Sequence, residues 1–178
     1  MNELVFNTQQ QPLYVIDSSY YAAVTQGNAY ITTANSNGLL AINSYLVLRI
    51  KNATTTNKKI YIKSVSVTST GTNLFQTVTL LKGDSTLVTP TVPATFCNAN
   101  IGLTTTNSSA TIQQSIQTSA PTNGNTQTIE IGTQVNSIFA NNYNGGLLLT
   151  TNTFLTVYIQ NLVGVATGMY IKIVFWEQ

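Results

Sequence analysis

The chain has 178 residues, of which only 7% are charged and 43% are hydrophobic, and its formal net charge is +2. Typical soluble domains carry about 25% charged residues, so this composition predicts a folded domain whose surface is covered by neutral hydroxyl and amide groups. It is too apolar for a disordered chain, and it has no apolar run of the roughly 18 residues that a membrane-spanning helix needs.

The first 40 residues contain the short apolar clusters LVF, PLYVI and YYAAV, which are separated by polar segments. Two structures are compatible with this pattern. The segment either adds an extra strand to the chain's own sandwich or forms an extended arm that lies on a neighbouring subunit. It also lacks the basic start and the continuous apolar stretch of a secretory signal. We therefore expect a protein that is used inside a cell or that leaves it by lysis or assembly.

Beyond residue 40, apolar and polar residues alternate, which predicts β-strands, and helical periodicity is not found. YLVLRIKN, residues 45–52, has the pattern of a strand, and KKIYIKSVSVTST, residues 58–70, that of a second strand. The intervening ATTTN has the length of a hairpin turn. The apolar face of the second strand changes near Ser64, which predicts a bulge.

Five of the seven basic residues fall within this predicted hairpin. We expect them to keep an edge strand or an outer sheet face soluble. The alternative is a patch that binds phosphate or lipid, but binding duplex DNA through charge needs a wider basic footprint, so we expect no specific nucleic-acid binding. The predicted basic patch consists of Arg49, Lys51, Lys58, Lys59 and Lys63.

Residues 74–88 form the next predicted strand region, with a tight turn at Gly83. The polar region of residues 89–125 contains prolines that interrupt any long central strand and one short strand candidate, ATIQQSIQTS. A further strand is predicted over residues 126–140, followed by a turn at NNYNGG. The last two or three strands then lie within residues 146–178.

Roughly eight strands joined by loops of uneven length fit an antiparallel Greek-key sandwich or jelly roll better than an up-and-down barrel. The predicted fold is therefore an all-β sandwich of jelly-roll type with an extended N-terminal arm. Residues 1–40 are assigned to the arm or to an extra strand, and residues 41–178 to a single jelly-roll domain.

The last predicted strand is apolar on both faces. Ile171, Ile173 and Phe175 share one face, and Tyr170, Val174 and Trp176 share the other. A face exposed to solvent would not need the second set. We expect it to be covered by the apolar clusters of the first 40 residues, either from the same chain or from a neighbour.

Residues that usually build catalytic or metal sites are scarce. The chain has no histidine, one cysteine and five acidic residues that do not cluster. Ser-His-Asp and Cys-His mechanisms and His-based zinc sites are therefore excluded, and a calcium site at Asp84 would have one carboxylate and be weak. We expect Cys97 to be a small buried hydrophobe beside Phe96, and the sequons at Asn52 and Asn107 to be products of composition. No enzyme, cofactor or metal site is predicted.

A carbohydrate- or receptor-binding module remains an alternative. Shallow sugar sites combine amide side chains with an aromatic platform, which Tyr20, Tyr143 or Trp176 could supply. However, tyrosine suits strands and asparagine suits turns, so both residue types are also expected without a sugar site.

The pattern LLLTTNTFLTVYIQN followed by MYIKIVFWEQ is similar to the closing hairpin of single jelly-roll virion proteins in capsids of bacterial and archaeal viruses. The resemblance covers residues 40–178 as a pattern, without a diagnostic motif. In that family the jelly rolls tile through their flanks, and an N-terminal arm often crosses to a neighbour. Bacterial spore-surface and appendage subunits share this plan, but those we compare are linked through N-terminal cysteines, and none precedes Cys97 here.

The resemblance implies a structural protein of a virion shell or surface fibre, located in a virion or another extracellular assembly. Its partners would be further copies of itself and other virion proteins. The predicted assembly interface consists of Leu4, Val5, Phe6, Leu13, Tyr14, Val15, Tyr20, Tyr21, Tyr170, Val174 and Trp176.

Overall fold

The structure is a computed structural model that describes residues 18–37, 40–53, 55, 57–69, 74–82, 92–103, 108–121, 126–135, 138–162 and 165–178. Within these ranges the chain forms one helix, α1 (Ser18–Thr25), and eleven strands. The first six strands are β1 (Ala29–Asn35), β2 (Tyr45–Asn52), β3 (Ile60–Ser69), β4 (Leu74–Lys82), β5 (Val92–Pro93) and β6 (Phe96–Asn98). The other five are β7 (Ala110–Gln117), β8 (Thr126–Val135), β9 (Ile138–Leu149), β10 (Phe154–Asn161) and β11 (Met169–Glu177).

The strands form two antiparallel sheets that face each other. The five-stranded sheet has the order β6-β1-β11-β3-β9, and the six-stranded sheet has the order β5-β7-β2-β10-β4-β8. Within them, β1-β11-β3-β9 faces β2-β10-β4-β8, which is the strand order of a jelly roll. The predicted all-β sandwich of jelly-roll type is therefore confirmed.

The core lies between the sheets and is built by the alternating residues that the sequence places on one face of each strand. Leu46, Leu48 and Ile50 of β2 pack there with Ile171 and Ile173 of β11, and all are buried. Complete burial of such a side chain contributes about 1.5–3 kcal/mol relative to leaving it exposed.

The three strands that lie between β4 and β8 in the sequence add to one edge of each sheet. β5 and β7 extend the six-stranded sheet beyond β2, whereas β6 extends the five-stranded sheet beyond β1. Ala94, between β5 and β6, is buried, and its N–H donates a hydrogen bond to the carbonyl of Ile112. The segment therefore crosses from one sheet to the other. Pro93 lies in a two-residue edge strand, where the missing N–H is tolerated.

The hairpin predicted for β2 and β3 is wrong, because these strands lie in different sheets. Asn52 explains how the connection turns the corner. Its buried side-chain amide donates hydrogen bonds to the carbonyls of Lys58 and Leu149. The length of a turn does not distinguish a hairpin from such a corner. Because Asn52 is buried, its sequon is not accessible in the folded chain.

The bulge predicted near Ser64 is confirmed. In the ladder of β3 with β11, the pairing moves from Ile62 to Ser64 opposite the consecutive residues Phe175 and Val174, so Lys63 is the additional residue. Because Ile62 and Val65 both point into the core, the bulge places Lys63 and Ser64 together on the outside of the five-stranded sheet.

Two other boundaries differ from prediction. The predicted strand over residues 126–140 is divided between β8 in one sheet and β9 in the other. The predicted turn NNYNGG lies inside β9, where Asn144 and Gly145 have positive φ angles of 49° and 85°. These residues form a bulge that lets β9 continue along β3. Turn-forming residues indicate left-handed backbone, but not whether the chain reverses there.

The segment before residue 40 contributes α1 and β1, and β1 lies between β6 and β11 in the five-stranded sheet. The helix was not predicted, because its sequence SSYYAAVT has no clear apolar stripe. Gly83 and the proposed arm residues up to 17 lie outside the described residues.

Candidate functional site

The outer face of the five-stranded sheet, the side away from the core, carries the features most relevant to function. At one end of this face, α1 packs over the indole of Trp176, which is 2% exposed. The ring of Trp176 stacks on Tyr61 of β3, with centroids 5.2 Å apart, and meets the ring of Tyr20 of α1 edge-on at 5.7 Å. The second face of β11 is thus covered at Trp176 by residues of the same chain.

Tyr20 fixes α1 to the sheet through two contacts of its ring, with Trp176 and with Lys63. The ammonium of Lys63 lies 3.4 Å from the ring centroid, a cation–π contact that is worth about 0.5–2 kcal/mol. Burial raises the pKa of the Tyr20 phenol above its usual value. β3 therefore supplies both the aromatic neighbour Tyr61 and, at its bulge, the cation Lys63.

The bulge on β9 also packs against Trp176. A Cβ atom on Gly145 would lie 2.5 Å from Cη2 of the indole. Only glycine permits this approach, and it also accepts the positive φ angle. In the described part of the chain, the indole Nε1 is buried without a hydrogen-bond partner.

The other half of the outer face is open. Tyr170 pairs with Thr68, and Thr68 pairs with Ile138, so these residues form one row across β11, β3 and β9. Tyr170 is 38% exposed and Ile138 is 66% exposed. The row therefore ends in an exposed apolar side chain at the edge of the sheet. Tyr170 differs in this respect from Val174 and Trp176, which are buried.

A shallow groove of about 480 Å³ follows this row. Hydroxyl groups and one ammonium group provide most of its polar atoms. Its lining residues are Thr33, Ser66, Thr68, Ile138, Tyr170, Ile171 and Lys172.

The carboxylate of Glu177 is buried at the end of β11. Ser108 and Ser109 donate hydrogen bonds to it through their hydroxyls, at 2.5 and 3.0 Å, and the N–H of Ser109 donates a third at 2.9 Å. The ammonium of Lys58 lies 3.4 Å from Oε2. Three backbone segments therefore meet at one carboxylate, and the arrangement stabilises the fold rather than forming an open reactive site.

The five residues of the predicted basic patch do not share one surface. Arg49 and Lys51 lie on the outside of the six-stranded sheet, where the guanidinium of Arg49 is buried 4.1 Å from the centroid of the Phe154 ring. Lys58 and Lys59 are exposed in the connection between β2 and β3, and Lys63 lies on the opposite sheet. The basic residues are divided between the two sheets because the chain passes from one sheet to the other between β2 and β3.

The proposed interface residues have three different positions. Tyr20, Val174 and Trp176 lie in or beside the covered half of the outer face, and Tyr21 of α1 is 60% exposed. Tyr170 lies in the open half. The residues that lie outside the described ranges are Leu4, Val5, Phe6, Leu13, Tyr14 and Val15.

The expectation that Cys97 is buried is wrong, because its side chain is exposed. Cys97 pairs with Ile31, between the inward-facing pairs of Phe96 with Thr32 and Asn98 with Tyr30, so it points to the outside. Within the described ranges, no group of three His, Cys, Asp or Glu side chains could hold a metal ion. In the same part of the chain, no helix is long and apolar enough to cross a membrane.

Comparisons of the chain with protein-family models, with curated proteins and with solved structures gave no match.

Proposed function

We propose that this protein is a structural subunit that assembles with copies of itself into a virion shell or surface fibre. The observation that carries the proposal is the open half of the outer face, where the row of Tyr170, Thr68 and Ile138 leads to the sheet edge. Apolar side chains exposed on a jelly roll with 7% charged residues favour burial against another subunit. Within this proposal, the subunit belongs to a virion or another extracellular assembly.

We propose that the residues before α1 form the N-terminal arm. The described chain begins with α1, which packs on the outer face beside Trp176, and 17 residues precede it. A fully extended segment of this length spans at most about 60 Å, which is enough to reach a neighbouring jelly roll. We propose that its clusters LVF and PLYVI pack on that neighbour.

Size-exclusion chromatography with light scattering, followed by electron microscopy, tests the proposed function. The purified full chain is expected to form particles or fibres, and a chain that starts at Ser18 is expected to stay folded and to lose this higher-order assembly. A stable monomer at high protein concentration would contradict the structural role. Native particles formed by the shortened chain would contradict the role of the arm.

The groove on the outer face favours a second function, the binding of a glycan. Its hydroxyl groups and Lys172 offer hydrogen bonds to sugar hydroxyls, and Tyr170 offers an aromatic surface. On a glycan array, the full chain would give a saturable signal that is lost in Tyr170→Ala. Tyr21→Ala is the matched control, because Tyr21 is also an exposed tyrosine but lies on α1. Equal signals from both variants would exclude this groove as a sugar site.

A further inference from the structure

We infer that β9 forms an interface with β9 of a second copy, by antiparallel pairing around a two-fold axis. The inference rests on the proposed function and specifies the partner and the surface. Pairing of the two strands would join two five-stranded sheets into one continuous sheet across the subunits.

The first reason is that the part of β9 before its bulge lacks the usual protection of an edge strand. Natural sheets protect their edges with short strands, charged residues, proline or bulges, because an unpaired edge is a template for further pairing. The bulge of β9 follows Asn142 and leaves the run from Ile138 to Asn142 without such a feature. The sequence of β9, IFANNYNGGLLL, has 12 residues without a charged residue or a proline. Among the described residues, β3 is its only strand partner.

The other three edge strands are short or contain a charged residue in their sequence. β6 has three residues, and β5 has two, one of which is Pro93. β8 has ten residues and contains Glu130 in its sequence. β9 is thus the one edge strand, among those described, that is both long and uncharged.

The second reason is that the regular part of β9 can pair with itself. The bulge at residues 143–146 interrupts the ladder, which leaves a regular run from Ile138 to Asn142 opposite β3. Complete antiparallel pairing of two such runs places Ala140 opposite Ala140 of the second copy. Ile138 then lies opposite Asn142 of the second copy. The small Ala140 side chains meet at the axis without a steric conflict.

Charge does not oppose this pairing. The nearest cation in the row of Ala140 is Lys172, which is separated from it by Ser66. Across the two-fold axis, the two Lys172 residues would be five strand spacings apart, about 24 Å. This distance is well beyond the screening length of about 8 Å at physiological ionic strength. The exposed Ile138 would lie beside Asn142 of the second copy and lose part of its contact with water.

Cysteine cross-linking tests the geometry. In a Cys97→Ser background, which removes the exposed native thiol, Ala140→Cys is expected to give a disulfide-linked dimer under mild oxidation. Directly opposed strand residues have Cα atoms about 4.5–5.5 Å apart, within the range that a disulfide spans. Leu148→Cys is the matched control, because Leu148 is also exposed on β9 but lies beyond the bulge. It is expected to give no dimer.

The outcomes separate this interface from the proposed function. Equal cross-linking of both variants, or no cross-linking in a chain that still assembles, would overturn the β9 interface and leave the structural role intact. A full chain that remains monomeric, without cross-linking in either variant, would overturn both.

A charge exchange at the same position provides an independent test. Ala140→Glu and Ala140→Lys would each place two like charges at the axis, and opposed like charges destabilise strand pairs. Each variant alone is expected to lose the dimer, whereas an equimolar mixture is expected to recover it. Circular dichroism checks that both variants are folded. A mixture of folded variants that stays monomeric would contradict the register centred on Ala140.

Discussion

At the scale of single residues, the contact between Gly145 and Trp176 links the bulge of β9 to the last strand. An alanine Cβ at position 145 would lie 2.5 Å from the indole, on a backbone with a φ angle of 85°. Gly145→Ala is therefore expected to lower the free energy of unfolding by about 2 kcal/mol or more. Chemical denaturation measures the loss.

Gly102→Ala is the control for this substitution. Gly102 does not have a positive φ angle, and a Cβ atom at this position would lie 3.3 Å from the side-chain oxygen of Asn100, which can shift slightly. We expect the control to change stability by less than about 1 kcal/mol. If both variants lose the same amount of stability, the indole of Trp176 moves to accept an added methyl group at position 145, and the close contact is not required.

Glu177 and Lys58 provide a second comparison at this scale. The Glu177 side chain is 0% exposed, whereas that of Lys58 is 45% exposed. Glu177→Gln replaces a carboxylate oxygen with an amide donor that faces the N–H and hydroxyl donors of Ser108 and Ser109, and we expect a loss of about 1–3 kcal/mol. Lys58→Ala removes only a partly exposed ion pair and should cost less than about 1 kcal/mol. Thermal unfolding of both variants measures the difference. A larger loss in Lys58→Ala would show that the ion pair, rather than the serine donors, holds the carboxylate.

At the scale of secondary-structure elements, α1 shows why tertiary contacts decide some structures that sequence patterns do not. Its eight residues are too few to form a stable isolated helix. It is held by Tyr20 and Ala23 against a tryptophan more than 150 positions away in sequence. Local periodicity could not predict this helix.

The strands were more predictable than their connections. Alternation in YLVLRIKN and the face change near Ser64 follow directly from burial of one strand face, and both are present in β2 and β3. Turn residues at positions 53–57 and 141–146 were assigned to chain reversals, but one is a corner between sheets and the other is a bulge. The buried cluster at Glu177 had no sequence signal, because its partners come from distant loops.

Removal of α1 separates its role from that of the preceding segment. A chain that starts at Ser18 keeps Tyr20 over the indole, whereas a chain that starts at Asn28 exposes Trp176 and Tyr61 to solvent. Since Trp176 is the only tryptophan, its fluorescence reports this change. We expect a red shift of the emission maximum in the shorter chain alone. An unchanged spectrum would mean that other residues cover the indole.

At the scale of the whole molecule, the two halves of the outer face differ in exposure. One half is covered by α1, and the other remains open up to the edge of β9. If the proposed arm continues from α1 on the covered half and the proposed β9 interface borders the open half, a single subunit would offer two separate contacts. One contact would form dimers, and the second would connect dimers into the proposed larger assembly.

The weak charge of the chain determines how such an assembly responds to salt. With seven basic and five acidic residues, assembly would depend on apolar burial and backbone hydrogen bonds rather than on ion pairs. Salt screens exposed charges but does not weaken apolar burial, and sulfate strengthens it. The assembled fraction, measured by light scattering, is therefore expected to be unchanged between about 0.1 M and about 1 M sodium chloride and to increase with ammonium sulfate. Dissociation at about 1 M sodium chloride would show that ion pairs hold the subunits together, because screening at this concentration reduces the range of charge interactions to about 3 Å.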